Sequence, residues 1–278
     1  MKIFSYCFKK KLMRTNLILI LSPLFLINLV FSQDQSRQRL NESPRHHEWV
    51  KVKYDERTVH SFLAYPEVKE KATAVIVIHE NRGLTDWVCS VADQLAEHGY
   101  IALAPDLLSG MGPDSGKTSD FADGSAAREA IYKLSPEQVT ADLNAVFKYL
   151  KELPAANGKV VVAGFCWGGS QTFRFATNQP GLSAAYVFYG SPPDGKEEIA
   201  RINCPVYGFY GGNDERVNAT IPDITELMKE VEKVYEPVIY EGAGHGFLRS
   251  GEAADASDAN KKAHNDAWKR WLDLLGSL

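Results

Sequence analysis

Directly behind the apolar run Lys159-Val160-Val161-Val162-Ala163 stands Gly164-Phe165-Cys166-Trp167-Gly168-Gly169, and this junction constrains the chain more than any other stretch. Small residues on both sides of a reactive side chain allow a sharp strand-to-helix turn that lifts the side chain above a sheet edge. Here that side chain is a cysteine. The same hexapeptide also reads as a glycine-rich turn around an ordinary buried thiol, since free cysteine is among the most buried residue types. Its context elsewhere in the chain separates the two readings.

A cysteine nucleophile needs a base, and the base needs a third group to hold its tautomer. Residues Pro205-Val206-Tyr207-Gly208-Phe209-Tyr210 read as a strand that runs into Gly211-Gly212-Asn213-Asp214, which places Asp214 in a loop at its carboxyl end. Pro237-Val238-Ile239-Tyr240 reads as a further strand, ending in Glu241-Gly242-Ala243-Gly244-His245. Each has an ordinary reading: aspartates cap turns in such loops, and a histidine between glycines is often only exposed. Nucleophile, acid and histidine nevertheless follow one another in the α/β-hydrolase order. His46, His47, His60, His98 and His264 do not follow a late strand in a glycine-rich loop, and His79 ends an earlier strand, so His245 alone fits as the base.

The run Ala74-Val75-Ile76-Val77-Ile78-His79-Glu80-Asn81 is an apolar strand entering a polar loop. In such a fold this loop supplies one oxyanion-hole N–H and the residue after the nucleophile supplies the other, which nominates the backbone amides of Asn81 and Trp167. Strand-like and helix-like segments alternate from residue 73 to residue 275, behind a hairpin over 49–54 and 59–65. The expected architecture is therefore α/β: a mainly parallel sheet with helices on both faces and an antiparallel N-terminal hairpin. Residues 107–124, rich in glycine, are expected as a long loop bordering the pocket. Trp87, Trp167, Tyr189 and Phe247 lie close to the motifs and read either as pocket lining or as core.

The start of the chain differs in kind. Lys9, Lys10, Lys11 and Arg14 precede the apolar run from Leu17 to Val30, and Val30-Phe31-Ser32 resembles a cleavage site before Gln33. Residues 1–32 are expected as a cleaved signal peptide, 33–48 as a flexible lead-in and 49–278 as one catalytic domain, exported to a periplasmic or extracellular space. No stable membrane association is expected after cleavage. Without Cys7, the cysteines left are Cys89, Cys166 and Cys204, an odd number that flags a free reactive thiol. The net charge of −4 carries no nucleic-acid footprint. No paired-cysteine or H-E-x-x-H spacing is present, so neither a metal nor an organic cofactor is expected.

Val75-Ile76-Val77-Ile78-His79-Glu80, Ala104-Pro105-Asp106-Leu107, the hexapeptide 164–169, Gly211-Gly212-Asn213-Asp214 and Gly242-Ala243-Gly244-His245-Gly246-Phe247-Leu248-Arg249 together resemble the dienelactone hydrolase (carboxymethylenebutenolidase) family over roughly residues 50 to 275. The resemblance implies that Cys166, Asp214 and His245 form a triad. It also implies that Glu80 contacts the thiol and keeps it poorly reactive until substrate releases the carboxylate, and that Arg249 holds Glu80 or a substrate carboxylate. Where the family pattern carries a second arginine after Pro-Asp-Leu, this chain has Gly110, and Arg82 and Arg128 are the candidates for a replacement charge. The expected function is hydrolysis of a small-molecule ester or lactone through a cysteinyl acyl-enzyme. The alternatives are action on another acyl group, peptide or thioester, or a non-catalytic ligand-binding protein on the same fold.

Overall fold

Within residues 74–78 and 160–165 successive side chains enter two different cores, and that alternation dictates the architecture. In the computed structural model, which describes residues 35–278, Ala74, Ile76, Ile78, Val160 and Val162 lie in one buried cluster, while Val75, Val77, Val161, Ala163 and Phe165 lie in another. A strand buried on both faces reads as a continuous apolar run because helices cover it from both sides.

The sheet has eight strands: β1 (His47–Tyr54), β2 (Arg57–Ala64), β3 (Ala72–Ile78), β4 (Ile101–Pro105), β5 (Ala156–Phe165), β6 (Ala185–Phe188), β7 (Val206–Gly211) and β8 (Tyr235–Tyr240). Their order is β1-β2-β4-β3-β5-β6-β7-β8. β1 pairs antiparallel with β2, and β2 with β4. All remaining pairs are parallel. The expected mainly parallel sheet with an antiparallel N-terminal hairpin is thus the observed one.

Helices α2 (Asp86–Glu97) and α10 (Asp258–Gly276) cover one face, contributing Val88, Val91, Leu95, Trp268 and Trp271 to its core. Helices α4 (Pro136–Glu152), α5 (Trp167–Asn178) and α8 (Ile221–Glu230) cover the other, through Leu143, Val146, Phe173, Ala176 and Ile224. The buried Asp142 ties α4 to the hairpin by accepting hydrogen bonds from Tyr54 Oη (2.5 Å) and from Arg57 Nε and Nη2 (3.0 and 2.8 Å). Arg57 also donates to the carbonyls of Leu107 and Ser109, which anchors the chain where it leaves β4. Breaking such a buried pair by removing one partner typically costs about 3–5 kcal/mol.

The described part of the segment 33–48, residues 35–48, departs from the expected flexible lead-in. Residues 35–42 form a helix, α1. Beyond it Arg45 binds the buried Asp93 through Nε (2.8 Å) and Nη2 (2.7 Å). A polar composition indicated disorder, but a guanidinium fork on a buried carboxylate supplies an anchor that composition does not show. The signal-peptide assignment, residues 1–32, lies outside the described residues. Among the described residues no helix is long and apolar enough to cross a membrane.

Candidate active site

Five of the parallel strands, all but β4, deliver parts of the site at their carboxyl ends, where ligands bind in open α/β sheets. β3 leads into Glu80 and Asn81, β5 into Cys166, β6 into Tyr189, β7 into Asp214 and β8 into His245. Glu80, Asn81, Cys166, Trp167, Tyr189 and His245 line a cavity of about 610 Å³.

Cys166 stands between β5 and α5 with φ 55° and ψ −116°. A positive φ strains a residue that carries a Cβ, and such strain persists only when the surroundings over-determine it. The neighbouring glycines show how they do so. A Cβ on Gly164 would come within 2.3 Å of Gly168 O, and a Cβ on Gly168 within 2.3 Å of His79 O, so strand, turn and helix pack backbone to backbone. Trp167 opens α5, where the first N–H groups have no intrahelical acceptor.

Burial pushes the Cys166 thiol up to about 11, and the Glu80 carboxylate adds to the rise. The Trp167 N–H, Arg216 and Arg249 oppose it. At neutral pH the sulfur is therefore a thiol. Cys89 and Cys204 are also free but buried, and burial raises both.

His245 Nδ1 lies 2.5 Å from Asp214 Oδ2, and Asp214 is buried. An imidazole that donates Nδ1–H to a carboxylate keeps Nε2 as its basic nitrogen. The ring makes no hydrogen bond to the thiol. Tyr189 packs edge-on against it, ring centroids 5.0 Å apart.

Glu80 Oε2 accepts a hydrogen bond from Arg249 Nε at 2.8 Å. The Glu80 charge is the first cause raising Arg249 above its ordinary value. Arg249 lies on the short helix α9 (Phe247–Ser250), which begins after Gly246 turns with φ 75°.

His79 holds the loop that carries Glu80 and Asn81. Its buried ring donates from Nδ1 to Glu80 O at 2.8 Å and accepts at Nε2 from Leu107 N–H at 3.3 Å. Those two partners require the neutral ring, and burial pushes its pKa down to match. Thr118 holds the same loop from outside: its Oγ1 accepts from Leu84 N–H (3.1 Å) and donates to Asp106 (2.7 Å).

The structure thus brings Cys166, Asp214, His245, Glu80, Asn81, Trp167 and Arg249 together, with Asp214 behind His245. It alters one expectation. No residue of 107–124 lines the cavity; that place belongs to Arg128, on helix α3 (Gly124–Ile131), and to Tyr132 beyond it. The loop instead packs behind the site, because buried Asp106 gathers Thr118 and Leu108 N–H inward. Of the four aromatics, Trp167 and Tyr189 line the cavity, while Trp87 and Phe247 are core. Ser170, Ser191 and Arg216 also line it and were not anticipated. Arg216 was within reach of the sequence, two residues beyond Asp214. Among the described residues no group of three or more His, Cys, Asp or Glu is placed to hold a metal ion.

A strained turn at the carboxyl end of a central parallel strand, with an acid and a histidine after later strands, defines an α/β-hydrolase. Comparison with known proteins narrows the class. A sequence profile of the dienelactone hydrolase family matches residues 59–278, and the chain belongs to that family. A relative from Saccharolobus solfataricus, a "Putative carboxymethylenebutenolidase", is 31% identical over 257 residues, covering 80% of this chain and 95% of its own. Among solved structures, a "Putative Dienelactone Hydrolase" from Klebsiella pneumoniae shares the fold with a TM-score of 0.73 at 23% identity, covering 84% of this chain and 99% of its own. A dienelactone hydrolase-like promiscuous phosphotriesterase from metagenomic libraries shares it with a TM-score of 0.71 at 22% identity, covering 84% and 98%. Membership makes the chain a hydrolase of ester or lactone bonds.

Proposed function

We propose that the chain hydrolyses a carboxylate-bearing ester or lactone through an acyl-enzyme on Cys166, with His245 as base, Asp214 as its orienting acid, and the amides of Asn81 and Trp167 as oxyanion donors. One observation carries the reading: a strained cysteine and a carboxylate-bound imidazole line the same cavity.

In the resting enzyme the sulfur is protonated, which protects it from adventitious electrophiles. A substrate carboxylate draws Arg249 from Glu80, and the freed carboxylate relays the thiol proton to His245 Nε2. The thiolate then attacks the carbonyl. A C–S bond forms, and the tetrahedral oxygen takes its charge opposite the two amides. Collapse breaks the C–O bond, and the leaving oxygen takes the proton from His245. Water next gives a proton to the same nitrogen, adds to the thioester and expels sulfur, which regains its proton. Asp214 keeps the ring oriented and stabilises its charged form.

The test is turnover of a p-nitrophenyl ester by the wild-type protein and by Cys166→Ala. The variant should lose at least about 10³-fold in kcat, the scale seen when an acting nucleophile is removed. Turnover at the wild-type rate would overturn the reading. The basic and apolar start of the sequence also supports export with cleavage near Gln33. N-terminal sequencing of protein recovered outside the cytoplasm tests this, and an intact leader would contradict it.

A further inference from the structure

The cavity above Cys166 is lined by four guanidiniums, Arg82, Arg128, Arg216 and Arg249, and by one carboxylate, Glu80. The chain as a whole is acidic, with a net charge of −4. Positive charge is therefore concentrated where the substrate sits. Glu80 is paired with Arg249. Among the described residues no carboxylate lies within ion-pair distance of Arg82, Arg128 or Arg216.

The sheet order divides these groups into two poles. β3 flanks β5 on one side, while β6, β7 and β8 follow on the other. Arg82, on the turn after β3, and Arg128, on α3, belong to the first pole. Arg216, on the short helix α7 (Glu215–Asn218) after β7, and Arg249, on α9 after β8, belong to the second, from which Arg249 reaches across to Glu80. The Arg82 stem lies against Gly124 at the start of α3. The Arg128 guanidinium sits 5.7 Å from the centroid of the Tyr132 ring. Tyr132 Oη in turn accepts from Asn81 Nδ2 at 3.4 Å, which joins this pole to the oxyanion loop.

We propose that Arg82 and Arg128 form a second anion subsite, so that the substrate carries two oxyanion groups, carboxylate or phosphate, one at each pole. A planar guanidinium takes either group through paired N–H bonds. Like charges without a partner repel in a partly enclosed space, and an anion between them removes that cost. Burial does most to hold Arg82 below its ordinary pKa; the Arg249 charge adds to the fall, the Glu80 carboxylate opposes it, and Arg128 contributes the smallest part. The inference rests on the cavity above Cys166 being the substrate site.

Calorimetric titration of full-length Cys166→Ala protein with butyrate, glutarate and 3-phosphonopropionate tests the subsite without any turnover. At least one dianion should bind with a Kd about tenfold or more below that of butyrate, and the preferred dianion tells which oxyanion the subsite takes. In Arg82→Gln/Arg128→Gln the ratio of butyrate to dianion Kd should collapse to within about twofold of unity. Arg128→Gln alone, at an exposed position, should lower the ratio without risk to folding, and the melting temperature checks the double variant. Equal binding of all three ligands, or an unchanged ratio in the variants, would overturn the proposal. Failure of Cys166→Ala to abolish ester turnover would instead sink the acyl-enzyme reading and leave this result standing.

Discussion

At Cys166 two requirements compete: the thiol must be reactive toward a bound acyl group and inert toward everything else. Its surroundings favour inertness, since burial and the Glu80 charge together hold it near 11. Removing the Glu80 charge deletes one cause that raises the thiol and leaves Arg249, which lowers it, without its carboxylate. The sign is therefore fixed. Glu80→Gln should lower the thiol pKa and speed iodoacetamide labelling of Cys166 at pH 8, by roughly fourfold for each unit of the fall once the lower nucleophilicity of a more acidic thiol is counted. Peptide mass spectrometry against time reads this out, and an unchanged or slower rate would remove Glu80 from control of the sulfur. Glu80 and Arg249 stand 169 positions apart in sequence, and nothing in their local pattern joins them. Only the family resemblance nominated the pair.

The turn that presents Cys166 belongs to the scale of elements. β5 and α5 can meet at so sharp an angle because Gly164, Gly168 and Gly169 leave backbone against backbone. Gly168→Ala would place a methyl carbon 2.3 Å from His79 O and 2.5 Å from Ile78 O, both main-chain atoms at the end of β3. Either β3 or α5 must move. The substitution should destabilise the protein by about 2 kcal/mol or more, as overpacking a tight core does, and should disturb the oxyanion loop with it. Urea unfolding measures the first effect; a change below about 0.5 kcal/mol would show that the close approach is not required.

The same scale shows what was legible in the sequence. The helices were readable because their apolar residues repeat with the period of the face they bury, and β3 and β5 because a strand buried on both faces is a continuous apolar run. The turn around Cys166 was readable because glycine placement leaves few alternatives. The four-residue helices α6 (Lys196–Ile199), α7 (Glu215–Asn218) and α9 were not, since one turn carries no periodicity. Residues 107–124 misled for a related reason. Glycine content announces a loop, but the Asp106–Thr118 contact that draws the loop away from the cavity is a tertiary event.

Across the whole molecule, charge is distributed against the net balance, with a cationic cavity in an acidic chain. Such a field draws anionic substrate inward and is screened by salt over about 10 Å at 0.1 M. For a carboxylate-bearing ester, kcat/KM should fall roughly three- to tenfold as ionic strength rises from about 20 to 200 mM, while that of a neutral ester changes less than about twofold. Steady-state kinetics on the two substrates measures it. Parallel salt curves would show that the arginines do not steer substrate.

The central claim is that ester hydrolysis passes through a covalent bond to one sulfur, and trapping that bond tests it most directly. Wild-type protein mixed with excess p-nitrophenyl ester and quenched in acid within the first turnover should gain the mass of one acyl group, located on the peptide that holds Cys166. Cys166→Ala should gain none. An acyl group on another residue, or full turnover with no adduct and no loss in the variant, would contradict the account.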